Sequence, residues 1–288
     1  MDRALRQAVE SALGEPPIAA TPLSGGCVAE VLAVTLASGE KVVVKRDPTG
    51  ESGLAAEGRS LRLLGEQGLP VPAALHAGAT LLVLQWVDGP DPIDASSQEH
   101  AAQLLAELHS RAQPGGARRF GLDFDTYLGG IRLDNRWMDD WPSFFAKRRL
   151  LPMAELAARR GRLPRALRLR VERLAERAGE LLEPSPTPSL IHGDVWSGNV
   201  LCRKGRVAAF IDPAPSWSCA EAELAFITLF STFGRRFFEV YAAQRPLDEG
   251  FFQLRRHVLN THPLLTHVAL FGGGYVAQLD ATLRRIGF

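Results

Sequence analysis

Cysteine, net charge and long apolar runs are all scarce in this chain, and each shortage excludes something. Only three cysteines, Cys27, Cys202 and Cys219, occur in 288 residues. None belongs to a CxxC pair, which excludes a disulfide scaffold and a zinc site of ordinary spacing and suits a reducing cytosol. The 33 basic residues face 32 acidic ones, for a net charge of +1. That balance excludes a nucleic-acid binder driven by electrostatics, which carries a strong basic excess. The longest apolar stretches, such as LLVLQWV, fall well short of the roughly 20 residues that span a bilayer. The N-terminal MDRALRQAVESALGEPP reads as a charged amphipathic helix rather than a signal peptide. A soluble cytoplasmic protein is expected, monomeric or weakly dimeric, with no nucleic-acid or membrane partner. Basic residues bunch in KRRLLPMAELAARRGRLPRALRLR, which reads as the solvated face of helices, or else as a surface for an anionic partner.

What is present divides the chain in two. VLAVTLASGEKVVVKRD is two β-branched runs around a turn, a hairpin pattern. ESGLAAEGRSLRLLGEQGLPVP reads as a helix ending at Gly68 and Pro70, and TLLVLQWVDGPDPID as a buried strand running into a Gly/Pro break. SSQEHAAQLLAELHSRA follows as a helix with a serine N-cap. Beyond it the pattern is helical to Phe288, interrupted by short strands near residues 189–214. The expected class is α+β: an N-terminal lobe over residues 1–88, a hinge at about 85–91, and a mainly helical lobe over 89–288.

Two charged residues of the first lobe belong together. Strand period places Lys45 on the face of Lys41 and Val43, where alone it reads as an exposed edge lysine. Leu54, Glu57, Leu61 and Leu64 share one helix stripe, so the Glu57 carboxylate interrupts an apolar face. A buried carboxylate needs a partner, and a Lys45–Glu57 ion pair follows. Protein kinases use such a pair to orient a lysine on nucleotide phosphates. Upstream, Gly25 and Gly26 allow backbone N–H groups to approach an anion, although a plain turn would look the same. Cys27 reads as a small buried hydrophobe or, if exposed, as a redox-active thiol.

The second lobe carries SLIHGDVWSGNVLCRKGRVAAFIDPA, residues 189–214. Three short strands here are expected to project Asp194, Asn199 and Asp212 from their ends toward one place, with His192 bracing the loop. Phosphoryl transfer asks for a carboxylate beside the acceptor hydroxyl and hard oxygen ligands for Mg2+. Asp194 suits the first task, and Asn199 and Asp212 the second. The Asp-x4-Asn interval matches the kinase catalytic loop.

HGDVWSGN followed by IDPA resembles the fructosamine kinases, or ketosamine-3-kinases. These belong to the aminoglycoside-phosphotransferase-like branch of the two-lobed protein-kinase-like fold. SGGCVAEV, VVVKRD, LLAELHS, FGLDFDTYLGGIRLDNRWMDDWPSFFAKRRL and PLLTHVALFGGGY extend the resemblance over most of the chain. It implies ATP and Mg2+ as cofactors, Asp194 as general base, Asn199 and Asp212 on the metal, and Lys45, fixed by Glu57, on the phosphates. It further implies Gly25 and Gly26 in the nucleotide loop and backbone groups of Gln85 and Val87 on adenine. Trp196 and His267 match acceptor-site positions, with a packed indole and an ordinary helix histidine as the alternatives. The implied activity is phosphorylation of a ketosamine sugar hydroxyl, in deglycation. A kinase for an aminoglycoside or choline-like compound, or a nucleotide-binding pseudokinase, are the competing readings. The chain departs from the family pattern after Asp212, where PSWSCAEAELA replaces a Gly-His-Arg by Ser218, Cys219 and Ala220 and a helix aspartate by Glu223.

Overall fold

The computed structural model describes residues 2–23, 29–182 and 186–288. Gly25, Gly26 and Cys27 lie outside the described residues. The first helix, α1 (Arg3–Leu13), starts at Asp2, whose side chain accepts from Leu5 N–H at 2.7 Å, a standard N-cap. Strands β1 (Pro17–Pro22), β2 (Glu30–Leu36) and β3 (Lys41–Arg46) follow, then α2 (Leu54–Glu66), β4 (Ala74–Ala77) and β5 (Leu81–Gln85). The five strands form one antiparallel sheet in the order β1-β2-β3-β5-β4. Strand period assigns its faces. Val42, Val44, Leu81 and Val83 pack against Leu5 and Val9 of α1. The alternate residues Leu82 and Leu84 pack against Leu54 and Leu61 of α2. Lys45 belongs to this second face. The outermost strands escape sequence reading: β1 has a proline at each end and β4 is four residues long. Both are edge strands, where proline and short length are tolerated.

The rest is helical with small strand pairs. Helix α3 (Ala95–His109) is capped by Asp94, not by a serine. Asp94 Oδ1 accepts from Ser97 N–H at 2.7 Å while Ser97 Oγ accepts from Asp94 N–H at 2.8 Å. The aspartate wins because Ser97 can then close a reciprocal box. A hairpin, β6 (Thr126–Leu128) and β7 (Ile131–Leu133), precedes α4 (Trp141–Phe144), a π-helical stretch (Phe145–Leu150), α5 (Leu151–Arg159), α6 (Arg165–Glu176) and α7 (Ala178–Leu181). Then come β8 (Ser189–Ile191), β9 (Val200–Arg203), β10 (Arg206–Phe210) and β11 (Ser216–Ser218). The chain closes with α8 (Ala220–Leu229), α9 (Arg235–Gln244), a second π-helical stretch (Phe251–Arg255), α10 (Arg256–Phe271) and α11 (Gly274–Arg285). Trp141, Phe144, Val171, Leu224, Phe237 and Leu265 are among the buried centre of one large core. No helix among the described residues is long and apolar enough to cross a membrane.

The basic run is mostly exposed, as a solvated face should be, but Arg149 is buried. Its guanidinium lies 4.6 Å over the Phe144 ring and donates to Asp134 O (3.0 Å), Asn135 Oδ1 (2.6 Å) and Ser216 Oγ (3.3 Å). Asn135 in turn donates to Thr126 Oγ1 at 2.9 Å and Phe124 O at 3.1 Å. One cation thus ties the β6–β7 hairpin and β11 to the helical body. Burial lowers its pKa to about 10, so it remains charged at neutral pH. The same corner is held by Asp134, whose carboxylate accepts from Arg136 (2.7 Å) and Arg148 (3.0 Å).

The hydrogen bond from Arg136, with help from Arg148, lowers the Asp134 pKa to about 2. A depressed carboxylate contributes stability above its unfolded pKa, roughly 3.9, and loses it as pH falls through the folded value. Asp134→Asn should therefore lower the urea midpoint at pH 7. Its deficit against the wild type should shrink steadily from pH 4 toward pH 2. A deficit constant with pH would show that Asp134 acts through shape rather than charge.

Candidate active site

The four strands around the HGD loop do not form one group. β8 pairs with β11, and β9 with β10. The three short strands expected here are joined by a fourth, and the four form two separate ladders. The reason lies in a strand too short to be read, β11, whose three residues saturate β8. Asp212 marks the crossing. Ile211 N–H still donates to Asn199 O (3.0 Å) at the end of the β9–β10 ladder, whereas Ala214 N–H donates to His192 O (2.9 Å) at the end of the β8–β11 ladder. The chain changes ladders in between, and Asp212 takes φ 55° to do so. A non-glycine residue in that left-handed region is strained and often functional. Gly193 is required at the same crossing. It has φ 89°, and a Cβ there would come 2.1 Å from Ala214 O.

Asp194 follows on the loop and is clamped by Asn199. The Asn199 amide Nδ2 donates to Asp194 Oδ2 at 2.8 Å and to Asp194 O at 3.0 Å. Asn199 ends a single 3-10 turn (Ser197–Asn199) just before β9, rather than beginning the strand. That turn brings residues five apart into contact. Burial, and then the negative charge of Asp212, push the Asp194 carboxyl up to about 7. His192 is fully buried and accepts from Asp194 N–H through Nδ1 at 3.3 Å.

Lys45 Nζ stands between two carboxylates, 2.7 Å from Glu57 and 2.5 Å from Asp212. Burial opposes its charge, but Glu57 and Asp212 outweigh it and hold the lysine pKa above its ordinary value. The ammonium thus links the sheet, α2 and the ladder crossing. Asp212 keeps its side chain two-fifths exposed, toward the cavity.

Beneath the loop, Glu223 of α8 is fully buried. Its Oε1 accepts from Gly193 N–H at 2.6 Å, and its Oε2 accepts from His192 N–H at 3.2 Å and contacts His109 Nε2 at 2.9 Å. His109 Nδ1 lies 2.8 Å from the Tyr241 hydroxyl. Burial pushes Glu223 up, but the contact with His109 and the Gly193 N–H bond hold it below the ordinary glutamate value. The longer glutamate therefore braces the HGD loop through its backbone. His109 and Tyr241 went unnoticed in the sequence, although a histidine following Leu105 and Leu108 on the α3 stripe is a usable signal.

A cavity of about 480 Å3 opens over these groups. Lys45, Glu57, Asp194, Asn199 and Asp212 line one end. Trp196 and His267 line it too, together with Phe230, Phe271 and Tyr275, which sequence reading missed. Trp196 is 43% exposed, so it is not a packed core indole. Its ring lies over Gly198, where a Cβ would come 2.3 Å from the indole. His267 of α10 donates from Nδ1 to Pro263 O at 2.8 Å, which leaves Nε2 as an acceptor. Burial lowers its pKa, keeping it neutral at pH 7. Gln85 and Val87 are not part of this lining, and Gln85 N–H is engaged with Ala73 O at 2.9 Å.

The donor set can be tested against Mg2+. Among the described residues no group of three or more His, Cys, Asp or Glu side chains could cage a metal. Asn199 uses its Nδ2 on Asp194, which leaves its Oδ1 and the partly exposed Asp212 carboxylate, both on the same cavity, as hard oxygen donors. Two protein oxygens, with phosphates and water completing the shell, is the usual provision for Mg2+, so the residues fit.

The sequence profile of the fructosamine kinase family matches residues 1–287. The chain is 34% identical over 272 residues to a probable ketoamine kinase of Synechocystis sp., covering 91% of this chain and 88% of that protein. It resembles a crystal structure from Thermobifida fusca described as a fructosamine-3-kinase, with TM-score 0.86, 32% identity and 99% of both chains covered. It shares its fold with the gentamicin complex of APH(2")-IIa, with TM-score 0.68, 15% identity and coverage of 100% and 99%.

Two substitutions probe this geometry. Glu223→Gln presents an amide where two backbone N–H groups need an acceptor, and should cost about 2–3 kcal/mol in urea melts. In initial-rate assays kcat should fall while the KM for ATP moves little. An unchanged kcat would separate the brace from the chemistry. Gly198→Ala must displace the Trp196 ring, so the acceptor KM should rise with the ATP KM unchanged, alongside a shift in tryptophan emission. Equal increases in both KM values would show general loop damage instead.

Proposed function

The chain belongs to the fructosamine kinase family and is an ATP-dependent phosphotransferase acting on an alcohol; we propose that it transfers the γ-phosphate of ATP to a sugar hydroxyl of a ketosamine. The observation that carries this reading is the division of one cavity into a charged end and an uncharged aromatic end. At the charged end, Asp194 accepts the proton of the acceptor hydroxyl. The hydroxyl oxygen forms the new bond to the γ-phosphorus as the bond to the bridging oxygen breaks, and ADP leaves with that electron pair. A pKa near the operating pH suits a general base. Asn199 keeps Asp194 aimed. Lys45, held charged by Glu57 and Asp212, offers a fixed positive charge to the phosphates. Asn199 and Asp212 would hold Mg2+, which neutralises phosphate charge when bound. Gly25 and Gly26, and backbone groups of Gln85 and Val87, are assigned to the nucleotide by resemblance alone.

The other end distinguishes acceptors. Beyond the cluster at the charged end, the described lining carries no charged side chain and is made of apolar, small, aromatic and neutral polar residues, His267 among them. A polycationic aminoglycoside wants carboxylates there, whereas a sugar stacks on ring faces and hydrogen-bonds to His267 Nε2. Trp196 and His267 are therefore read as acceptor contacts. A pseudokinase is disfavoured because Lys45, Glu57, Asp194, Asn199 and Asp212 all meet at one cavity. Phosphorylation at the third sugar carbon would prime the adduct to eliminate and free its amine, a deglycation. The ATP requirement fits a cytoplasmic enzyme.

Purified protein, ATP and Mg2+ should phosphorylate fructosyl- or ribulosyl-amines, detected as ADP release and a new sugar phosphate by 31P NMR, and EDTA should stop it. Asp194→Asn should cut kcat about 10³-fold with ATP affinity largely kept. Transfer to another small alcohol but to no ketosamine would overturn the substrate assignment, and full activity of Asp194→Asn would overturn the base.

A further inference from the structure

The mouth of the cavity has an unusual surface. Six large hydrophobic side chains are exposed among the described residues, and two of them, Trp196 at 43% and Phe271 at 53%, line this one cavity. Exposed apolar groups gathered at a site mark contact with a ligand rather than chance. Phe271 ends α10 and continues a ring array inward. Its centroid lies 6.1 Å from Tyr275 and 5.7 Å from His267, and His267 lies 4.8 Å from Tyr275 and 5.0 Å from Phe230. The array therefore runs from the half-buried Phe230 and His267 out to the exposed Phe271.

The charge around it is equally informative. The only formal charges on the described lining, Lys45, Glu57, Asp194 and Asp212, sit at the phosphate end. Two cations behind the rim are engaged with the end of α10. Arg160 donates to Ala269 O at 2.9 Å, and Arg162 donates to Ala269 O and to Leu270 O, the latter at 2.6 Å. A bound ketosamine has two parts: the sugar, whose hydroxyl must reach Asp194, and the substituent on its amine, which must point away. The described lining at the far end offers that substituent ring faces and no charged side chain.

We propose that the rim formed by Trp196, Phe271 and Tyr275 is a subsite for the amine substituent, and that it selects ketosamines of uncharged apolar or aromatic amines. This rests on the ketosamine reading above. A single protonated secondary amine is tolerated against aromatic faces, but a further ammonium or a carboxylate loses water there and meets no opposite charge on the lining. Trp196 thereby serves both halves of the acceptor, and Phe271 sets preference among substituents.

The test uses fructose adducts sharing one sugar and differing only in the amine: methylamine, benzylamine, glycine and putrescine. The benzylamine adduct should show kcat/KM about tenfold above the methylamine adduct, the scale of one well-filled apolar contact, and the glycine and putrescine adducts should not exceed methylamine. Phe271→Ala should lower kcat/KM for the benzylamine adduct several-fold more than for the methylamine adduct. Phe271→Trp should restore the gap, which a structural defect would not. Equal turnover of all four adducts, a preference for glycine or putrescine, or an equal loss on both adducts in Phe271→Ala would overturn the subsite while leaving the ketosamine reading intact. No turnover of any adduct would sink both.

Discussion

The Lys45 ammonium, fixed between Glu57 and Asp212, is the interaction on which the rest depends. It joins a sheet strand, the helix packed on that sheet and the ladder crossing of the helical part. Such a cluster is a poor way to gain stability. Each buried charge costs several kcal/mol in lost hydration, and mutual attraction repays this only with good geometry. Well-packed apolar residues would do as well or better. The triad makes sense instead as a prepared electrostatic device. Its formal charge is −1, and burial, with the charge of Asp212 second, makes the nearby Asp194 resist ionising. The end of the cavity is thus balanced to receive cations and phosphates together rather than either alone.

Asp212 could not occupy its place on a regular strand. The hydrogen bonds of Ile211 and Ala214 belong to different ladders, and the residue between them must turn through a left-handed conformation. That strain needs support from the surroundings. Glu223 supplies it from below by accepting from His192 and Gly193, and Arg149 supplies it from the side through Ser216 of β11. Both are buried charges answered by polar groups. Each sits one element away from a residue that lines the cavity, which explains why expensive charges are retained in an otherwise apolar core.

Much of this was legible in the chain itself, and the limits are physical. The β2–β3 hairpin, α2 and β5 follow from residue period, because each buries a face of many residues. The Lys45–Glu57 pair was legible for the same reason: a carboxylate in an apolar stripe is an anomaly that demands a partner. The Asp194–Asn199 interval was legible because one tight turn sets it. By contrast, β11 has three residues and pairs far along the chain, Ser216 with Ile191 and Ser218 with Ser189, so no local pattern announces it. The burial of Arg149 was hidden by its basic neighbours. Phe230, Phe271 and Tyr275 look like ordinary core positions until tertiary packing turns them toward one cavity. The departures at Ser218, Cys219 and Ala220 fall on β11 and the start of α8, beneath the loop rather than among the groups that line the cavity.

The same contrast separates catalysis from selection in this molecule. The groups assigned to chemistry lie on short-range motifs whose spacing is set by backbone geometry: one turn from Asp194 to Asn199, one ladder change at Asp212. The groups assigned to the acceptor come from α8, α10 and α11 and from a loop tryptophan propped on a glycine. No covalent or ladder constraint couples them to one another. Their positions depend on ring-against-ring packing, which tolerates exchange of one apolar side chain for another at small cost. Substitutions at the aromatic end can therefore retune the acceptor without disturbing the phosphate end. The charged end has less freedom, because removing Lys45 leaves the Glu57 carboxylate without its partner and out of water. A fixed phosphate end and a retunable aromatic end are what this division of physical constraints produces.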